Sequence, residues 1–156
     1  MFRQRMEYVR SAPEEACFLC ADAETGDLEE SFVLYRDELC LVVLNKFPYN
    51  TGHLLISPLR HVAAMEELTG RELEGLMALT LRGISALKAA MAPEGLNLGA
   101  NLGASAGAGV PGHLHMHVVP RWSGDTNFMP VVAGTKVLPE ELAQTYQRLK
   151  PHFQGP

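Results

Sequence analysis

The chain has 156 residues, 47% of them hydrophobic, and a formal net charge of −5. That length suits one domain with one core, and the acidic balance argues against a broad nucleic-acid surface while leaving room for a small nucleotide. No apolar run reaches the roughly 18 residues of a membrane span, the charged start Met1–Arg5 leads into no apolar leader segment, and the three cysteines show no disulfide framework. The expected setting is the cytoplasm, with neither membrane nor nucleic acid as a partner.

In chain order, residues 1–15 are polar and charged and are expected to be peripheral. Ser31–Arg36 reads as a first strand, Asp37-Glu38 as a turn and Leu39–Leu44 as a second strand. Pro48–Gly52 is a loop rich in breakers, and His53–Ser57 is a third strand closed by Pro58. Thr69-Gly70-Arg71-Glu72 has the form of a capping box and opens a long helix to about Met91. Leu73, Leu76, Met77, Thr80, Ile84, Leu87 and Met91 form its expected apolar face, and Pro93 forbids continuation. Leu96–Leu102 is a fourth strand, 105–109 a small-residue loop and His113–Val119 a fifth strand. Pro139-Glu140-Glu141 starts a C-terminal helix whose face is Leu138, Leu142, Tyr146 and Leu149, so residues 137–156 form a helix and tail. Strands that pair consecutively under one long helix give an α+β layer, and no linker divides residues 1–156.

Three of the six histidines fall in His113-Leu114-His115-Met116-His117-Val118-Val119-Pro120. Successive side chains of a strand alternate between faces, so the three imidazoles are expected on one face, roughly 6.6 Å apart. Such a comb suits a phosphate or a metal.

This alternation resembles the signature of the histidine triad (HIT) proteins, which are nucleotide-binding hydrolases and transferases. The resemblance runs from about Cys17 to Trp122. A second block, Leu44 to His61, matches too. The segment Pro120 to Phe128 is similar to the branch acting on diadenosine polyphosphates, which includes fragile-histidine-triad hydrolases and bacterial diadenosine tetraphosphate phosphorylases. The resemblance implies a single HIT domain with a HIT-like fold, namely a five-stranded antiparallel sheet, one long helix and a C-terminal helix, in a homodimer joined sheet edge to sheet edge. It implies that His115 is the nucleophile, with His117 facing the α-phosphate or leaving group and His53 facing the same phosphate pocket. A neutral imidazole can attack phosphorus and later depart from the protonated phosphoramidate. Its second nitrogen is expected to be held by a backbone carbonyl in the loop 104–112.

For the nucleotide, the resemblance places Asn45 at the ribose and Asn101 and Ser105 at the phosphates. The loop is read as a phosphate cradle, against the alternative of a plain connector. Gly109 stands where the hydrolase branch carries a glutamine, which leaves space for inorganic phosphate as acceptor. Arg121 and Lys46 are read as solvated surface charges.

Cys17-Phe18-Leu19-Cys20 spaces two thiols for one zinc, which needs two more ligands. The resemblance supplies His61 and His113, completing a closed structural Zn2+ site. A redox pair or two buried thiols are the alternatives, and Cys40 reads as a core thiol. The function implied is an enzyme that cleaves dinucleoside polyphosphates through a nucleotidyl-histidine, with water or phosphate as acceptor. Three alternatives stay open: a nucleoside phosphoramidase, a non-catalytic nucleotide-binding protein, and a hydrolase using three histidines on a catalytic metal.

Overall fold

A computed structural model of the chain describes residues 17–125 and 141–155. Its elements are α1 (Phe18–Glu24), β1 (Val33–Arg36), β2 (Cys40–Leu44), β3 (Leu54–Pro58), α2 (Gly70–Met91), β4 (Gly95–Ala100), β5 (Met116–Arg121) and α3 (Leu142–Leu149). The strands form one antiparallel sheet in the order β1-β2-β3-β5-β4. The five-stranded α+β architecture read from the sequence is therefore present, with one change of neighbour. Pairing is not consecutive throughout: α2 carries the chain across the sheet, β4 becomes an edge, and β5 inserts between β3 and β4.

Position decides how Pro120 fits an inner strand. Lacking an N–H, proline weakens a ladder on the side where that donor is needed. β5 pairs with β3 only from Met116 to Val118, so Pro120 has β4 as its sole strand neighbour, opposite Leu96.

The two sheet faces are covered differently. One face, with Val42, Leu44, Leu54, Ile56 and Val118, packs under Leu76, Leu79 and Leu87 of α2 and against Tyr146 and Leu149 of α3. The capping box at the start of α2 is formed: Thr69 Oγ1 accepts from Glu72 N–H, and the Glu72 carboxylate accepts from Thr69 N–H. The helix turns its stripe further round than its sequence suggests. Leu73 and Met77, expected in the core, are 43% and 42% exposed, while Leu79 and Ala86 are buried. Expected helix residues Leu138, Pro139 and Glu140 lie outside the described residues; α3 begins at Leu142 and docks on β1, with Tyr146 Oη donating to the Val33 carbonyl.

The other face, with Val33, Leu41, Val43 and Leu55, packs under Cys17 and Leu19 of the α1 segment. His117 pairs with Leu55 across β3 and β5, and paired residues share a face. The α1 face is thus the one that carries the histidines.

Gly52 sets the entry to β3. Its φ is +86°, and a Cβ there would lie 2.8 Å from Met91 Sδ and 3.1 Å from Leu87. The left-handed turn and this close approach both need glycine. Replacing Gly52 by alanine is expected to lower the unfolding free energy by about 1–3 kcal/mol, measured by urea titration; a stability equal to that of the parent would contradict this reading of the turn.

Candidate active site and metal centre

His53 is almost fully buried at the start of β3. The Tyr49 backbone N–H donates to its Nδ1 at 3.1 Å, so the neutral ring carries its proton on Nε2. That proton is donated to His117 Nδ1 at 2.8 Å, which in turn places the His117 proton on Nε2. Burial, reinforced by the neighbouring His117 and His115, pushes the His53 pKa down to about 3. The pair is a directed line of imidazoles with its tautomers set by one backbone amide. The Tyr49 ring lies over it, 4.9 Å from the His53 ring and 6.1 Å from that of His117. Tyr49 carries no signal in the sequence beyond being an aromatic in a breaker-rich loop.

His115 is held by its own segment. Its Nδ1–H donates to the His113 carbonyl at 2.8 Å, which leaves Nε2 with a lone pair. Burial lowers its pKa below the ordinary histidine value, opposed by that hydrogen bond. The orienting acceptor is therefore a backbone carbonyl, as expected, but it belongs to the first histidine of the triad and not to the loop 104–112. The comb is also corrected. β5 begins at Met116, so only His117 stands in regular strand, and the His115 and His117 rings are 4.9 Å apart with their planes at 64°. His113 sits in a turn, its N–H donating to the Val110 carbonyl. The chain bends there, so the three imidazoles do not converge on one metal.

His113 points into a second cluster. Its Nε2–H donates to the Pro58 carbonyl at 2.8 Å, and Nδ1 faces Cys17 Sγ at 3.3 Å and Cys20 Sγ at 3.4 Å. Cys20 Sγ is also 3.2 Å from His61 Nδ1. The four ligand atoms lie within 4.8 Å of one another. A tetrahedral zinc with Zn–S of about 2.3 Å and Zn–N of about 2.0–2.1 Å implies sulfur–nitrogen edges of roughly 3.5 Å, close to those observed. Burial and the adjacent Cys17 raise the Cys20 thiol to about 11, so a thiolate pair here calls for a cation between the sulfurs. The four residues thus fit a closed S₂N₂ site.

Two devices deliver His61. A Cβ on Gly112 would lie 3.1 Å from His61 Nε2, so glycine makes room for the ring. Arg60 makes a bidentate pair with Glu72, which ties the segment after β3 to the capping box of α2. The Arg60 hydrogen bonds, helped by the Thr69 backbone, hold the Glu72 carboxyl down to about 2. Cys40 is fully buried in β2, as expected of a core thiol.

The nucleotide-contact candidates are spread more widely. Asn45 Oδ1 accepts from Phe47 N–H, and its amide nitrogen is 3.4 Å from His53 Nδ1. Asn101 borders an open pocket of about 360 Å³ together with Tyr49, Asn97, His117 and Arg121. Ser105 and Gly109 are exposed on the loop and do not border that pocket. The two cations read as free surface charges are engaged: Arg121 makes a bidentate pair with Asp125, and Lys46 lies 4.0 Å from the buried Asp22. Of the block from Pro120 to Phe128, residues 126–128 lie outside the described part.

An α+β sheet that presents a backbone-held imidazole lone pair beside a relayed imidazole proton, with a thiol–imidazole cluster behind them, has the groups needed for nucleophilic group transfer. A family model described as HIT domain matches residues 28–124, and the chain belongs to the HIT family. It is 47% identical over 121 residues to an AP-4-A phosphorylase from Mycobacterium tuberculosis, a match covering 78% of this chain and 62% of that protein. It is 33% identical over 95 residues to an asymmetrical bis(5'-nucleosyl)-tetraphosphatase from Schizosaccharomyces pombe, covering 61% of this chain and 52% of that protein. The chain thus spans about half to three-fifths of the length of these relatives. The fold is shared with a Zn-bound histidine triad family protein from Mycobacterium smegmatis, with a TM-score of 0.72 at 24% identity, covering 90% of this chain and 95% of that one.

Burial keeps His53 neutral to about pH 3, whereas an unfolded chain protonates it near its ordinary value of 6.5. Between those values the unfolded state binds the extra proton, so stability is expected to fall as pH drops from 6.5 towards 3. His113 and His115, also lowered, act in the same direction. A His53→Asn variant should lose stability less steeply across that window in urea titrations; an unchanged slope would show that His53 is not held neutral.

Proposed function

We propose that this protein cleaves dinucleoside polyphosphates of the diadenosine tetraphosphate type, using His115 as nucleophile and inorganic phosphate as acceptor. The observation that carries this reading is the hydrogen bond from His115 Nδ1–H to the His113 carbonyl, which leaves a neutral Nε2 lone pair beside His117. In the first step His115 Nε2 bonds to the α-phosphorus and the bond from that phosphorus to the bridging oxygen breaks. His117, with its proton on Nε2, donates a hydrogen bond to the oxygen of the departing ATP and so stabilises the negative charge that develops there, and His53 behind it holds that tautomer. In the second step a phosphate oxygen bonds to the same phosphorus, the phosphorus–nitrogen bond breaks, and ADP departs.

Phosphate is favoured over water as acceptor by Gly109, which stands where the hydrolase branch has a glutamine, and by the similarity to the mycobacterial phosphorylase. Asn45 is assigned to the ribose, Asn101 to the polyphosphate, and Ser105 and Gly109 to a loop that closes on the phosphates. Cys17, Cys20, His61 and His113 are assigned to a structural Zn2+. When bound, that ion ties α1 to the turn before β5 and takes no part in the chemistry, because four protein ligands leave no open position. The exposed edge β4, with Leu98 49% exposed, supports a homodimer formed sheet edge to sheet edge. Three cysteines, none of them in a disulfide, suit a reducing, cytoplasmic setting.

Turnover of diadenosine tetraphosphate with and without phosphate tests the reading. ADP plus ATP formed only with phosphate is expected; AMP plus ATP regardless of phosphate would make the protein a hydrolase, and no turnover would favour a phosphoramidase. His115→Ala should lower kcat by at least about a thousand-fold; retained turnover would remove His115 as nucleophile. Elemental analysis should find one zinc per chain, lost with a lower Tm in Cys17→Ser. A metal-free parent of equal Tm would overturn the structural role.

A further inference from the structure

The segment Trp122–Asp125, part of the stretch similar to the diadenosine polyphosphate branch, turns back on itself immediately after β5. Asp125 N–H donates to the Trp122 carbonyl at 3.1 Å, and Gly124 between them has a φ of +78°. That is the left-handed conformation a tight turn asks of a glycine. Ser123 N–H and Oγ–H both donate to the Glu94 carboxylate, and Glu94 N–H donates to the Arg121 carbonyl. The turn is thereby pinned beside the entry to β4.

Held this way, the Asp125 side chain is 12% exposed and engages two segments. Arg121 Nη2 donates to Oδ1 at 2.7 Å, while Oδ2 accepts from Arg121 Nε at 2.8 Å and from Trp122 N–H at 3.1 Å. Those partners are local. The same Oδ2 also accepts from Asn50 Nδ2 at 2.8 Å, and Asn50 is 75 residues away in the chain. Asn50 Nδ2 donates in addition to the Pro120 carbonyl at 3.1 Å.

Asn50 sits where the loop governs His53. Its carbonyl accepts from His53 N–H at 3.2 Å, and the preceding Tyr49 N–H donates to His53 Nδ1. At the other end of the clamp, β5 carries His117 four residues before Arg121. Asp125 therefore ties together the two segments that supply the partners of the His53–His117 hydrogen bond. Tyr49, His117 and Arg121 also border one open pocket, so the clamp runs along its wall. Without the carboxylate, Asn50 would keep the neutral Pro120 carbonyl, a weaker acceptor than a charged one.

We propose that Asp125 is a positioning residue for nucleotidyl transfer: by holding Asn50 to the exit of β5, it keeps the Tyr49 amide on His53 and the His117 proton on Nε2. The inference rests on the functional reading above, in which that proton faces the departing oxygen. It gives the turn after β5 a task at the site.

The test compares the parent with Asp125→Ala, Asn50→Ala and the double variant, all with native metal content. Nitrogen-15 NMR reads the histidine rings, and turnover of diadenosine tetraphosphate with phosphate reads the chemistry. The parent is expected to show His53 and His117 protonated at Nε2 alone. Each single variant should show mixed tautomers at both rings and a kcat lower by roughly ten- to a hundred-fold, with KM within about three-fold. The double variant should be within about two-fold of the worse single variant, because both changes open the same clamp. Losses that multiply, or single Nε2 tautomers retained in Asp125→Ala, would overturn the inference. A lower Tm with tautomers and kcat unchanged would make Asp125 a stabilising residue only and equally overturn it. Should Asp125→Ala fail to fold, Asn50→Ala carries the same tautomer test. A parent without turnover would fell the functional reading, and the tautomer comparison would then decide the clamp by itself.

Discussion

The imidazole of His113 is held at both nitrogens, and the rest of the site depends on it. Nε2–H donates to the Pro58 carbonyl at the end of β3, and Nδ1 faces the two sulfurs at the start of α1. The backbone of the same residue then accepts from His115 Nδ1–H. One side chain thus locks the turn before β5 to its neighbouring strand and to the helix above, and its carbonyl sets the tautomer of the histidine two residues on. A nucleophile needs an available lone pair in a defined direction, and here that direction follows from a residue with no part in the chemistry.

The metal cluster and the reacting histidines are therefore coupled through the backbone between His113 and His115. The coupling continues away from the site. Gly112 makes space for His61, Arg60 beside it binds Glu72, and Glu72 completes the capping box that starts α2. The helix covering the opposite face is thereby registered against the segment that carries a metal ligand. On the other side of the triad, Gly52 turns the chain so that His53 enters β3 and meets His117, and the Tyr49 amide fixes which nitrogen of His53 carries the proton. Charge is kept out of this relay by burial, so His53 stays neutral near neutral pH and its hydrogen bond to His117 keeps one direction.

Much of this was legible in the residues. The alternation around His115, the Cys17–Cys20 spacing, the capping box at Thr69 and the five strands all have local signals, because each depends on residues close in the sequence. What stayed hidden depends on contacts between distant segments. α1 carries no strong periodic pattern in seven residues, and its packing on Leu41, Val43 and Leu55 appears only once the sheet exists. The insertion of β5 beside β3 is a matter of topology. The bend at His113, which spoils an ideal strand, follows from binding a side chain to Pro58 and two thiols at once. Tyr49 is an ordinary residue in sequence; its backbone amide makes it useful.

The tautomers of the histidines test the account most directly. Nitrogen-15 NMR of the protein, reading both ring nitrogens of each histidine at neutral pH, should find His115 protonated at Nδ1, with His113, His53 and His117 protonated at Nε2. A His115 ring protonated at Nε2 would remove the lone pair from the attacking position and contradict the arrangement proposed for the whole site.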